Sequence, residues 1–135
     1  MFDASLSNPE ELRAPAGHYS HAVRVNVGDL IFVSGQLPIT PQGEKLTGAP
    51  FEAQVRQVFD NLDQVLHASG CTRENLVQVR VYLVDIEQWP YFNQLYATWL
   101  GEHRPARCVV PVPILHYGLA LEIEAVASTG PLHKL

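Results

Sequence analysis

The segment FEAQVRQVFDNLDQVLHASGCTRENLVQVRVYL, from Phe51 to Leu83, decides the fold because its apolar residues change period partway along. Up to Ala68 the apolar residues recur at steps of three and four, which is typical of an amphipathic helix. Pro50 suits the first turn of that helix, and Gly70 suits its C-terminal cap. From Val77 onward apolar and polar residues alternate, which indicates a strand with one buried face. The segment therefore predicts a helix followed by a strand of a half-covered sheet.

Similar patterns extend in both directions from this segment. Alternating valines from His21 to Val27, the turn residues Gly28 and Asp29, and the apolar run that begins at Leu30 predict a hairpin of two strands. An apolar stripe predicts a second helix from Trp89 to Leu100. The other predicted strands are 108–112 and 119–127. Prolines at 111 and 113 cannot donate to a ladder, so strand 108–112 is expected at an edge or an interface.

The order of these elements is β-β-α-β-α-β-β, which predicts a single α+β domain of two layers over residues 1–135, with a loose N-terminal arm over 1–14. Two helices would cover one face of a mixed sheet. The other face would carry mostly polar side chains and could either be solvated or line an oligomer interface. Those side chains are Arg24, Asn26, Gln78, Arg80, Tyr82, Glu122 and Glu124.

Composition limits the function classes. The 135 residues carry a net charge of −5, which argues against a nucleic-acid binder, since such a protein needs a basic surface. The first residues contain no apolar stretch that would indicate a signal peptide or a membrane span. Cys71 and Cys108 form no C-x-x-C motif, so two free thiols in a reducing, cytoplasmic setting are expected.

Few residues suggest chemistry on their own. None of the six histidines has the spacing of a metal site, so we expect no bound metal, and no nucleophile elbow or phosphate loop is present. Cys108 follows Arg107, which would activate a thiol, but a small buried cysteine is the simpler interpretation. Arg107 itself precedes a strand, where a guanidinium can bind a carboxylate through two hydrogen bonds. A surface arginine in an ion pair is the alternative interpretation.

Several short segments, taken together, resemble the reactive-intermediate deaminase (Rid, or YjgF) family. They occur in the family's order and extend from about Pro15 to Ala127. The segments are Gly17–Ala22, Phe32–Gln36 with Pro38, Gln54–Leu62, Phe92 and Asn93 with Tyr96, Glu102 with His103, Pro105–Arg107, and Glu122–Ala125.

The resemblance implies a chorismate-mutase-like α+β subunit, a homotrimer with active sites at the subunit interfaces, and hydrolysis of 2-imino or enamine acids to 2-keto acids and ammonia without a cofactor. It implies that Arg107 binds the substrate carboxylate, that Glu122 holds the attacking water, and that Tyr19 lines the pocket. The remaining implied contacts are the side chain of Asn93 and the backbones of Gly35 and Val109.

The sequence departs from the family pattern after Arg107, where the stretch from Cys108 to Gly118 includes His116 and Tyr117 in place of the usual residues. The departure puts the substrate in question more than the reaction, and a larger substrate of the 2-aminomuconate type is an alternative. A carboxylate or keto-acid sensor without turnover is a second alternative. RNA cleavage, a role also attached to this family, is disfavoured by the acidic charge.

Overall fold

A computed structural model describes residues 4–25 and 28–129, with side chains from residue 7 onward. Asn26, Val27 and His133 therefore lie outside the described residues. The elements are β1 (Ala4–Ser7), β2 (Ala22–Val25), β3 (Leu30–Gln36), α1 (Phe51–Ala68), β4 (Leu76–Leu83), α2 (Trp89–Leu100), β5 (Ala106–Pro111) and β6 (Leu121–Ser128). Short 3₁₀ turns cover Arg73–Asn75, Ile86–Gln88 and His116–Gly118.

Four strands form the main sheet, in the order β3-β6-β4-β5. β6 pairs antiparallel with both β3 and β4, whereas β4 and β5 pair in parallel. This mixed sheet with two helices confirms the predicted α+β class. β5 lies at the edge of the sheet, where Pro111 closes the strand, as the missing N–H of proline predicts.

The core lies between the helices and one face of this sheet. Alternate residues of β4 and β6 face the apolar stripes of α1 and α2, because side chains of a strand point to opposite faces in turn. The largest fully buried side chains include Leu62, Leu66, Phe92, Tyr96, Leu83, Leu121 and Ile123. Gln54, buried on α1, accepts a hydrogen bond from the Ala120 backbone N–H and so joins the start of β6 to the helix.

The opposite face of the sheet is not covered by a helix. It carries polar side chains that are only partly exposed: Tyr82 lies opposite Glu122 and donates a hydrogen bond to Glu124, which also faces Arg80 across the ladder. Phe32 of β3 is 74% exposed next to them. We call this surface, defined by Phe32, Arg80, Tyr82, Glu122 and Glu124, the open face.

The predicted hairpin of the first two strands is wrong. β2 pairs with β1 in a separate two-stranded sheet, so Ala4–Ser7, within the expected loose arm, forms a strand. β3 instead pairs with β6 from Leu30 onward. Asp29 follows the same pairing: its N–H donates to the Thr129 hydroxyl and its carbonyl accepts from the Thr129 N–H, directly after the end of β6.

The expectation that Cys108 is buried is also wrong: Cys108 is exposed, while Cys71 is buried. Cys108 lies opposite Arg80 on the edge strand β5, so its side chain shares the open face, where no helix covers it. Among the described residues, no helix has the length and apolar character that a membrane crossing requires.

Candidate functional site

Arg107 occupies the second position of β5 and points toward the helices. It lies opposite Val79, a core residue of β4, so its side chain enters the helix-covered face of the sheet. There its guanidinium carbon lies 4.9 Å from the ring centre of Tyr96 and 5.5 Å from that of Tyr19. Both distances are within the range of cation–π attraction.

Asn93 of α2 connects this guanidinium to the loop before β2. Its Oδ1 accepts hydrogen bonds from Arg107 Nη1 and from the backbone N–H of His18, each at 3.0 Å. Tyr19 follows His18 directly, so the same bond positions the Tyr19 ring. The structure therefore brings together three of the residues predicted from sequence: Arg107, Asn93 and Tyr19.

His18 is buried and anchors the same loop. Its Nε2 donates to the carbonyl oxygen of His103 at 2.8 Å. Burial lowers the pKa of His18, so the imidazole stays neutral at neutral pH and adds no positive charge beside Arg107.

The guanidinium of Arg107 has no counter-charge among the described residues. None of the ion pairs within the described part of the chain involves Arg107, and its buried Nε has no hydrogen-bond partner there. Burial lowers the pKa of Arg107, although a guanidinium stays protonated at neutral pH. A partly buried cation without an ion-pair partner favours an anion with paired oxygen acceptors, such as a carboxylate.

Two further residues shape this cationic site, and the sequence did not single out either for a role there. A Cβ on Gly17 would lie 2.7 Å from Arg107 Nη2 and 2.9 Å from Asn93 Oδ1, so any other residue would displace the guanidinium or the amide. The Tyr96 hydroxyl is buried without a partner among the described residues, and burial raises its pKa, which keeps it a donor. Both residues occur in the segments that resemble the Rid family, so that resemblance was the sequence feature that pointed to them.

Glu122 forms a second group at the other end of the sheet. It belongs to the open face, and Ile114, Leu115 and His116 line a cavity of about 310 Å³ with it. Gly35, at an irregular point of β3, approaches Glu122 so closely that a Cβ there would overlap the carboxylate. Gly35 and Glu122 are thus neighbours, as the predicted site requires.

The structure does not bring Arg107 and Glu122 together within one subunit. They project from opposite faces of the sheet, since Arg107 aligns with Val79 and Glu122 with Tyr82. Two strand spacings and three residues separate them, or about 14 Å between Cα atoms. Val109, two residues after Arg107, is half-buried on the Arg107 side of β5. Each chain therefore carries two separate candidate half-sites.

Among the described residues, no cluster of three or more histidine, cysteine or acidic side chains is arranged to hold a metal ion. The two candidate half-sites offer a guanidinium without an ion-pair partner among the described residues and a carboxylate beside a largely apolar wall.

Comparison with known proteins identifies the family. A family model described as Endoribonuclease L-PSP matches residues 10–129. Protein HMF1 of Saccharomyces cerevisiae is 40% identical over 119 residues, which is 88% of this chain and 90% of the yeast protein. The 2-iminobutanoate/2-iminopropanoate deaminase of Rattus norvegicus is 37% identical over 121 residues, covering 88% of this chain and 87% of the rat protein.

A solved structure agrees with this result. The crystal structure of YyfB, a protein of unknown function of the conserved Rid family from Yersinia pestis, has a TM-score of 0.85 at 30% identity and covers 93% of this chain and 98% of that chain. The chain therefore belongs to the endoribonuclease L-PSP family, also called the Rid or YjgF family, as its motifs from Gly17 to Ala125 predicted.

Proposed function

We propose that this protein hydrolyses 2-imino acids, or their enamine tautomers, to 2-keto acids and ammonia, with no cofactor or metal. The observation that carries the proposal is the partly buried Arg107 guanidinium, which has neither an ion-pair partner nor, at its buried Nε, a hydrogen-bond partner in the described part of the chain. The similarity to a rat protein named as a 2-iminobutanoate/2-iminopropanoate deaminase supports the same reaction. We retain the cytoplasmic location predicted from the sequence as part of this proposal.

In the proposed mechanism Arg107 holds the substrate carboxylate while Asn93 and the rings of Tyr19 and Tyr96 fix the orientation of the guanidinium. A fixed carboxylate places the imine carbon C2 at a defined position, and such positioning is itself a large source of rate. Backbone groups of Gly35 and Val109 are proposed to add polar contacts to the substrate.

Glu122 is proposed as the general base. It takes a proton from a water molecule whose oxygen bonds to C2 of the protonated imine, and the C=N π electrons move to nitrogen. Glu122 then returns the proton to that nitrogen, the C–N bond breaks, and the hydroxyl lone pair forms the keto carbonyl. The hydroxyl proton leaves with ammonia, so the protonated imine and water give a keto acid and ammonium.

This mechanism requires two subunits, because one chain presents Arg107 and Glu122 on opposite faces of its sheet. We propose a homotrimer in which the Arg107 half-site of one protomer meets the Glu122 half-site of the next, giving three equivalent sites. The open face, with its exposed Phe32, would be the surface that neighbouring protomers cover.

Assembly provides the first prediction. Light scattering at micromolar concentration should give about three times the 15.0 kDa chain mass, since a ring of three heterologous contacts closes on itself. A monomer under these conditions would contradict the interface site.

A mixing experiment tests the shared site directly. Arg107→Ala and Glu122→Gln subunits, each inactive alone, should regain about a quarter of wild-type activity after unfolding and refolding together in equal amounts, because random assembly joins intact halves. No recovery in mixed trimers would contradict a site that is shared between chains.

The second prediction concerns Gly35→Ala. The added methyl group would displace the Glu122 carboxylate, and a displacement of about 1 Å in an active site lowers turnover by on the order of 10²-fold. The melting temperature should stay close to wild type, because the displaced side chain is flexible. Ser34→Ala, the adjacent change on β3, is the control and should retain activity. Full activity in Gly35→Ala would place Glu122 outside the reaction.

The reaction itself is tested by ammonia release from a panel of imino acids generated in situ by amino-acid oxidases. Release no faster than spontaneous hydrolysis, together with saturable keto-acid binding, would favour a carboxylate sensor. One observation supports this second candidate: Arg107, Asn93 and Tyr96, which would bind a carboxylate, lie together without any contribution from Glu122. The charge of −5 disfavours RNA as the substrate.

A further inference from the structure

The wall of the Glu122 cavity is largely apolar. Ile114, Leu115 and His116 line it, and Ile114 is 75% exposed although its side chain is aliphatic. These three residues lie in the stretch where the sequence departs from the family pattern. Ile114 and Leu115 thus place aliphatic carbon next to the Glu122 carboxylate, where an apolar group of a ligand gains free energy by burial.

The backbone after this wall is held in a fixed, uncommon conformation. Tyr117 has φ +61° and is the only non-glycine residue with positive φ in the described part of the chain. Thr47 donates to the Tyr117 carbonyl at 2.8 Å, and Lys45 Nζ lies 4.6 Å from the centre of the Tyr117 ring. Backbone strain of this kind persists only where the surroundings hold it. These contacts of Tyr117 fix the backbone next to Ile114, Leu115 and His116. Tyr117 itself does not line the cavity.

We propose that Ile114 and Leu115 determine specificity, selecting 2-imino acids with aliphatic or aromatic side chains longer than ethyl. The inference rests on the proposed function. In the proposed trimer, a substrate with its carboxylate on Arg107 and C2 at the water beside Glu122 would direct its side chain along the Glu122 cavity toward the wall. Apolar groups gain free energy there in proportion to the area that they bury.

The same wall works against a substrate with a second carboxylate. A side-chain carboxylate in this cavity would lie close to Glu122 and against aliphatic carbon, so it would be both repelled and poorly solvated. A dicarboxylic substrate of the 2-aminomuconate type is therefore disfavoured.

The test compares kcat/KM for imines derived from alanine, leucine, phenylalanine and glutamate. We expect the wild type to prefer the leucine-derived over the alanine-derived imine by about tenfold or more, and to disfavour the glutamate-derived imine. Ile114→Ser should reduce the leucine-to-alanine ratio by about fivefold or more, while His116→Leu should raise it. Leu12→Ser, which changes an aliphatic residue that is 54% exposed outside the cavity, is the control and should leave the ratio unchanged.

The outcomes separate the two proposals. Two results would overturn the specificity wall and leave the proposed deaminase activity intact. One is turnover of all imines with an unchanged leucine-to-alanine ratio of kcat/KM in Ile114→Ser. The other is a wild-type preference for the glutamate-derived imine. Absence of turnover on every imine would overturn the proposed function and the wall together. All ratios are read on variants whose trimeric mass is confirmed.

Discussion

Arg107→Ala should lower kcat/KM for imine hydrolysis by on the order of 10² to 10³ or more. Loss of one partner from a buried charge pair typically costs roughly 2–5 kcal/mol, and each 1.36 kcal/mol is a factor of ten in rate. Arg107→Lys should restore little, because an ammonium cannot form the two parallel hydrogen bonds of a guanidinium. Steady-state kinetics on an oxidase-generated imine measures both variants.

Stability measurements separate this role from a structural one. Without ligand, the partly buried Arg107 charge has no ion-pair partner among the described residues, so its removal should cost little melting temperature. A 2-keto acid should raise the melting temperature of the wild type and not that of Arg107→Ala, because ligand binding stabilises only a folded state that binds it.

The matched control for Arg107→Ala is Arg73→Ala. Arg73 pairs with Asp63 at 3.0 Å and lies over the Trp99 ring, so its loss should lower stability and leave kcat/KM near wild type. Near-normal hydrolysis by folded, trimeric Arg107→Ala would contradict the central assignment.

Glu122→Gln should reduce kcat by on the order of 10² to 10⁴, the usual contribution of a positioned general base. The amide keeps the shape of the side chain but does not accept the water proton. Keto-acid affinity, measured by calorimetry, should change little because Arg107 supplies the carboxylate contact. The resulting loss in kcat without a loss in binding distinguishes water activation from substrate binding.

Glu124→Gln is the control for this change, since Glu124 lies two residues along the same face of β6 and accepts a hydrogen bond from Tyr82 of its own subunit. Once trimeric mass is confirmed, its turnover should stay close to wild type. Equal losses in Glu122→Gln and Glu124→Gln would indicate that the open face acts only in assembly.

The change of period between Phe51 and Leu83 predicted one helix and one strand, and similar patterns on either side predicted the second helix and the α+β class. Burial on one side imposes a 3.6-residue or two-residue repeat on any sequence. Prolines predicted an edge or an interface position for the strand that includes Pro111, and the structure places it at the edge, since the missing N–H is a local property. The motifs predicted Arg107 and Glu122 as site residues by resemblance.

Contacts between distant segments were decided only by the tertiary structure. Sequence alternation does not say which strand is a neighbour, so the pairing of β3 with β6 and the exposure of Cys108 were missed. Nor does it reveal that Gly17 makes room for a guanidinium 90 residues away. Above all, the register of β4 with its two neighbours places Arg107 and Glu122 on opposite faces, because a side chain's face depends on strand pairing as well as on the order of residues.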